Sequence, residues 1–276
     1  MALVPFPKKD QSDDQESRRT DLEPWESDQE EPETGPKMSF LEHLEELRKR
    51  IVNGLIAIGV GMCVSFFFID RIKAFIMLPL AQMLPPGSKM MYTEPTEAFV
   101  LNLKLGGLAG LMIAAPVIMW QVWLFIAPGL YSNEKKFALP FIFLTTTCFL
   151  GGAAFSHYML FPWAWQYLAS FGTDYIVFQP RIEPVFSLYI KLLLGMGLIF
   201  QIPTVVLFLS RMGLVTAGFL ARQTKYAILI IFIVAAVITP TADPMTQTLM
   251  AAPMVALYVV SIGIAWVFGK RKPKRD

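Results

Sequence analysis

The stretch Met38-Ser39-Phe40-Leu41-Glu42-His43-Leu44-Glu45-Glu46-Leu47-Arg48-Lys49-Arg50 divides a polar tail from a chain otherwise built for a membrane. It reads as an amphipathic helix. Ser39 followed by Glu42 is a capping box, in which each side chain closes an orphan backbone donor of the first turn. Phe40, Leu44, Leu47 and Ile51 recur at helical spacing and form one apolar stripe. Glu42, Glu45, Glu46, Arg48, Lys49 and Arg50 take the opposite side. Two readings of these charges stand. In the first, Glu45 with Lys49 and Glu46 with Arg50 are ordinary i, i+4 pairs on a wet face, together about 0.4–1 kcal/mol. In the second, the helix lies at a membrane surface and presents carboxylates there, because an apolar segment follows at once.

On the N-terminal side, residues 1–37 hold eleven acidic and five basic residues, net −6. This segment has few large apolar residues and is expected to be disordered, since it buries too little surface to offset its ordering entropy. Ser17-Arg18-Arg19 imitates an export signal with paired arginines, but Asp21, Glu23 and Glu26 stand where an apolar region is required. On the C-terminal side, the composition is that of a polytopic membrane protein. Of 276 residues, 54% are hydrophobic and 17% charged, too greasy for an ordinary soluble domain. Cys63 and Cys148 both fall in apolar runs and are expected to be buried, inert thiols.

The apolar runs predict spans over residues 51–69, 97–125, 137–160, 184–209, 226–238 and 248–268. Long connections are expected over 70–96 and 161–183. Glu97 suits a helix N-terminus. Gly106 and Gly110 form a small-xxx-small pair for a close helix contact, and Pro116 predicts a kink. The fifth run has only 13 residues, too short to decide by length. Charge decides it. With six spans and residues 1–37 left aside, the side holding the first helix carries thirteen Lys and Arg residues, and the other side carries four. The positive-inside rule makes the first side the cytoplasm, with both termini there. Removing the fifth span would put the basic tail, 271–276, outside. That run is therefore kept as a short helix that thins the bilayer or is shielded by a partner.

Other function classes fit poorly. An intramembrane protease needs Ser–His or paired Asp groups in its spans, yet the histidines are His43 and His157 alone and no Asp lies within a span. No phosphate-binding loop precedes Gly269-Lys270, which argues against a nucleotide-driven pump. A secondary small-solute transporter is the better alternative, but it predicts internal repeats and paired intramembrane charges, and neither is visible. No His/Cys cluster suggests a metal, and nothing points to a cofactor or nucleic acid.

Three blocks carry a specific resemblance. They are His43-Leu44-Glu45-Glu46-Leu47-Arg48-Lys49-Arg50, then Gln121-Val122-Trp123-Leu124-Phe125-Ile126-Ala127-Pro128-Gly129-Leu130-Tyr131, then Thr239-Pro240 through to Pro253. Phe161-Pro162 fits as well. Over residues 38–270 the chain resembles the TatC family, the polytopic subunit of the twin-arginine protein translocase. The resemblance implies an all-α protein of six transmembrane helices in a cupped, glove-like bundle, with N and C termini cytoplasmic and short fifth and sixth helices. It implies residence in the bacterial cytoplasmic (inner) membrane. It implies a receptor for Arg-Arg signal peptides of folded cargo proteins, which recruits the single-span subunits TatA and TatB, self-associates within a receptor complex, and works under the proton-motive force. It is not an enzyme.

The resemblance also assigns residues. Acidic family positions that meet the arginine pair correspond to Glu46 and Glu134, and Arg48 matches a basic position that orients the acid. A carboxylate accepts two parallel hydrogen bonds from a planar guanidinium, which an ammonium cannot imitate. Read from spacing alone, Glu134 is a solvated loop acid beside Lys135 and Lys136. Gln201 replaces a glutamate found in many members. It lies deep in the bilayer, where it either contacts a partner helix or signal peptide or glues two helices of this chain, a bond of about 0.6–2 kcal/mol. Lys104 and Lys191 lie two turns inside their spans and are expected to snorkel. Asp243 either caps the sixth span or serves an outer partner contact, and the cap is preferred. Pro79 and Pro203 are structural or outer-face candidates.

Overall fold

The structure, a computed structural model, describes residues 40–83, 90–126, 138–171, 180–239 and 243–269. The chain divides into two compact units, 1–43 and 44–276. The described part of the first is residues 40–43, the opening turn of a helix. The second is a helical bundle. In order the elements are α1 (Phe40–Phe66), α2 (Ile69–Met83), α3 (Glu97–Ile126), α4 (Ala138–Phe155), a π-helical turn (Ser156–Leu160), α5 (Phe161–Ala169), α6 (Ile182–Ile199), α7 (Ile202–Arg211), α8 (Ala217–Arg222), α9 (Thr224–Ile238) and α10 (Pro244–Phe268).

Among the described residues, five stretches are long and apolar enough to cross a membrane: Leu41–Phe66, Glu97–Ile126, Leu139–Ala169, Ile182–Arg211 and Pro244–Phe268. The apolar helix α9 makes six. At 15 residues and 1.5 Å per residue it is about 22 Å long, short of a ~30 Å hydrocarbon layer. The all-α, six-helix expectation holds.

The boundaries depart from expectation in ways that proline and chain direction explain. The amphipathic stretch and the first span are one helix, α1. Ser39 of the expected capping box lies outside the described residues. The first long connection contains α2, whose first turn carries Asp70 against the helix dipole. Pro79 falls within it. The third span does not stop near residue 160. Pro162 has no N–H to give the carbonyl four residues back, and the helix passes it by widening into the π-turn and resuming as α5. Pro203 acts differently. It separates α6 from α7 at Phe200 and Gln201. The helix α3 runs on through Pro116.

The core lies among α2, α3, α4, the π-turn, α5, α6, α9 and α10. Leu105, Phe161, Met196 and Ala235 are fully buried there. Close helix contacts use small residues, as expected where lipid tails remove the usual apolar driving force. A Cβ on Gly152 would come within 2.5 Å of the Met196 carbonyl oxygen, so α4 and α6 meet there backbone to backbone. Outward-facing apolar residues such as Leu55, Ile230 and Trp266 are exposed, as lipid-contacting side chains of a spanning bundle must be. Cys63 belongs to that outer face, against the expectation of burial, whereas Cys148 is half-buried and near the Thr204 hydroxyl at 3.5 Å.

Candidate functional site

The helix α1 meets the bundle through few residues. Gly61 and Ser65 are its buried positions. Gly61 lies against Gly110 of α3, so close that a Cβ on Gly61 would stand 2.5 Å from the Gly110 carbonyl oxygen. One turn further on, the Ser65 hydroxyl donates to the Gly106 carbonyl at 2.8 Å. The Gly106/Gly110 pair is thus used as its spacing predicts, with Gly61 as its counterpart.

That crossing fixes which face of α1 looks inward. At about 100° per residue, Arg50 lies about 20° and Glu46 about 60° from the direction of Gly61. Accordingly Glu46, Leu47 and Arg50 are half-buried, while Glu42, Glu45, Arg48 and Lys49 are exposed. The apolar stripe read from the sequence points elsewhere: Leu44 and Ile51 are exposed, and Leu47 alone of the three is covered. The reason is that lipid lies outside. A spanning helix turns apolar residues outward and keeps small and polar ones for the protein side.

On this inner face Arg50 Nη2 donates to Glu46 Oε1 at 2.9 Å. The side chains are 22% and 15% exposed, so the pair is sheltered but reachable. It is made by one leg. Glu46 Oε2 and Arg50 Nε are shut off from solvent and make no hydrogen bond. Arg48 stands on the exposed side of the turn. Glu134 lies outside the described residues, so the pairing of Glu46 with Glu134 stays an expectation.

Nearby in the sequence motif, Trp123 is a packing residue. Its ring contacts Phe141 of α4 at 4.8 Å and Phe208 of α7 at 6.1 Å, joining three helices near their ends.

Gln201, at the break between α6 and α7, donates through Nε2 to the Thr145 carbonyl of α4 at 2.8 Å. This is the intramolecular contact of the two alternatives. Gln201→Leu is expected to destabilise the detergent-solubilised protein by about 0.6–2 kcal/mol, read as a lower midpoint of thermal unfolding. Asp243 is the N-cap of α10: its carboxylate accepts from the Thr246 backbone N–H at 2.9 Å and from the Thr246 hydroxyl at 2.7 Å. Pro203 follows Gln201 at the start of α7.

At the opposite end, the sequence reading missed a polar junction. Glu97, 7% exposed, accepts from Arg181 at 3.1 Å and from both the backbone N–H and the hydroxyl of Thr93. Met91 and Arg181 form an isolated parallel β-bridge beside it. Lys104, expected to snorkel, instead pairs with Glu183 of α6 at 2.7 Å. Partners 79 and 84 positions apart leave no local spacing to detect. Both Lys104 and Glu183 are more than a third exposed. A double-mutant cycle to alanine should therefore give a coupling of only about 0.2–1 kcal/mol. His157, in the π-turn, is buried, hydrogen-bonds the Tyr189 hydroxyl through Nδ1 at 3.0 Å and stacks on Phe75. No group of His, Cys, Asp and Glu among the described residues has the arrangement of a metal site.

Comparison with known proteins decides the family. The family model described as Sec-independent protein translocase protein (TatC) matches residues 42–253. The chain belongs to the TatC family. A Koribacter versatilis TatC is 43% identical over 244 residues, which cover 86% of this chain and 89% of the relative. A Helicobacter pylori TatC (strain J99) is 42% identical over 223 residues, 81% of this chain and 87% of the relative. A crystal structure described as the twin arginine translocase receptor TatC in DDM superposes with a TM-score of 0.74 at 33% identity, covering 81% of this chain and 99% of that one. This TatC chain is therefore a multi-pass membrane component of Sec-independent protein translocation, a transport subunit and not an enzyme. Its His-Leu-Glu-Glu-Leu block lies within the matched region and supplies Glu46 and Leu47 to the inner face of α1.

Proposed function

We propose that this chain is the signal-peptide receptor core of a twin-arginine translocase in the bacterial cytoplasmic membrane. Both termini lie on the cytoplasmic side. Glu46 and Glu134 receive the arginine pair of a signal peptide there, with Arg48 beside them on the rim. TatA and TatB join the chain as single-span partners, copies of the chain associate within the receptor complex, and the proton-motive force drives transport. One observation carries the reading: Glu46 is a carboxylate on the protein-facing side of α1, with one oxygen engaged and the other without a partner. A guanidinium fork fits such a group, and a planar, permanently charged ligand gains most from it. Likeness to structures described as a twin arginine translocase receptor supports the same reading.

The test is complementation. Cells lacking their own TatC receive this chain together with TatA and TatB from the same source, and export of a folded reporter bearing an Arg-Arg signal is measured. Restored export that is lost when Arg-Arg becomes Lys-Lys agrees with the proposal. A reporter that stays cytoplasmic although the chain is inserted and complexed with its partners contradicts it.

A further inference from the structure

We propose that Arg50 is an internal stand-in for a signal-peptide arginine: in the resting chain it occupies Glu46, and binding is an exchange of one guanidinium for another. This rests on the receptor reading above. Glu46 is not an empty acceptor. Its Oε1 is held by Arg50 Nη2 at 2.9 Å. The hold is incomplete, because a side-on fork uses Nε and Nη2 on both oxygens, and here Nε and Oε2 are both sheltered and unbonded. One turn of α1 links the two residues, so Arg50 approaches Glu46 from its own helix. A peptide arginine has no such tether and can align its fork with both oxygens. The exchange therefore trades one charge-assisted bond for two. Arg50, once released, has a long stem that carries its head to the membrane surface.

The consequence is quantitative. While Arg50 holds Glu46, only the fraction of chains with the pair open is competent, and apparent affinity falls by that fraction. A partly exposed i, i+4 pair is worth about 0.2–1 kcal/mol, so the reduction is about 1.4- to 5-fold. Such a threshold favours ligands that engage Glu46 strongly over stray cations. It also keeps a half-buried carboxylate partnered between substrates.

The experiment uses the full chain in lipid nanodiscs at about 0.15 M salt, where exposed charges are largely screened, and a fluorescent Arg-Arg signal peptide. Arg50→Gln is expected to tighten binding by about 1.4- to 5-fold. Arg50→Lys should bind like the parent, because a single leg suits an ammonium equally well. Lys49→Gln, which removes the same charge from the exposed side, should leave affinity unchanged. Adding Arg50→Gln to Glu46→Gln should bring no further change. Weaker binding by Arg50→Gln overturns the proposal and makes Arg50 a positioning residue. Equal tightening by Arg50→Gln and Lys49→Gln overturns it in favour of long-range charge. If Glu46→Gln loses affinity while Arg50→Gln gains none, the stand-in fails and the receptor reading survives. If Glu46→Gln binds like the parent, both fail.

Discussion

Glu46→Gln is expected to weaken binding of an Arg-Arg signal peptide about 10- to 100-fold while leaving the fold intact. Glutamine keeps the shape and one acceptor oxygen but loses the charge. Hydrogen bonds to a charged group contribute about 1.5–3 kcal/mol, and each 1.4 kcal/mol is about a factor of ten in affinity. The cost to folding is small, because the residue contacts Arg50 through one partly exposed bond, and such a pair contributes about 1 kcal/mol at most. Titration of a labelled peptide, alongside the thermal unfolding midpoint, separates the two effects. A large fall in affinity with an unchanged midpoint is the expected pattern. A fall in both would mean that Glu46 acts through the fold.

The second large effect is structural. Gly110→Ala should unseat α1. The added Cβ would stand 2.5 Å from the Met62 backbone nitrogen and 2.7 Å from its Cα. Both are backbone atoms, so no side chain can swing aside and the helix itself must move. Moving it also stretches the Ser65 bond to Gly106, and over residues 41–66 α1 has no buried positions besides Gly61 and Ser65 with which to hold on. Overpacking of this kind costs about 1–3 kcal/mol. Because Glu46 and Arg50 owe their inward orientation to the same crossing, peptide affinity should fall with stability. Gly107→Ala is the matched control. Nothing lies within 4 Å of its Cβ position, and alanine favours a helix by about 1 kcal/mol over glycine. That variant should be neutral or slightly more stable. Thermal unfolding of the two variants in detergent checks the difference.

Much of the fold was legible because membrane constraints are coarse. Apolar runs located the spans, and loop charge kept the short α9 in the count. What was not legible depended on long-range placement. Residues 161–169 looked like loop because Pro162 usually ends a helix, and the π-turn that carries the helix past it has no sequence signal of its own. The connection expected over 70–96 gave no sign of the helix α2 within it. Glu97, Arg181, Lys104 and Glu183 gave no hint of their pairing, since the partners come from different spans. The family resemblance singled out Glu46, and the structure adds what spacing could not. The resemblance names the acid and the i, i+4 spacing already pairs it with Arg50, but only Gly61 and Gly110 decide that the pair faces the protein. Gln201 shows the opposite case. Its deep position was plain in the sequence, yet only the fold reveals that its amide is spent on the Thr145 carbonyl.

The measurement that bears most directly on the receptor claim is site-specific photocrosslinking. A photoreactive residue replaces Glu46 in one variant and Glu134 in another, and each is offered the same signal peptide with either Arg-Arg or Lys-Lys. Because each variant loses one carboxylate, the other supplies the remaining contact. The account predicts crosslinks from both positions with Arg-Arg and their loss with Lys-Lys. Equal crosslinking to both peptides, or none to either, would contradict it and leave Glu46 as one half of an ordinary helix ion pair.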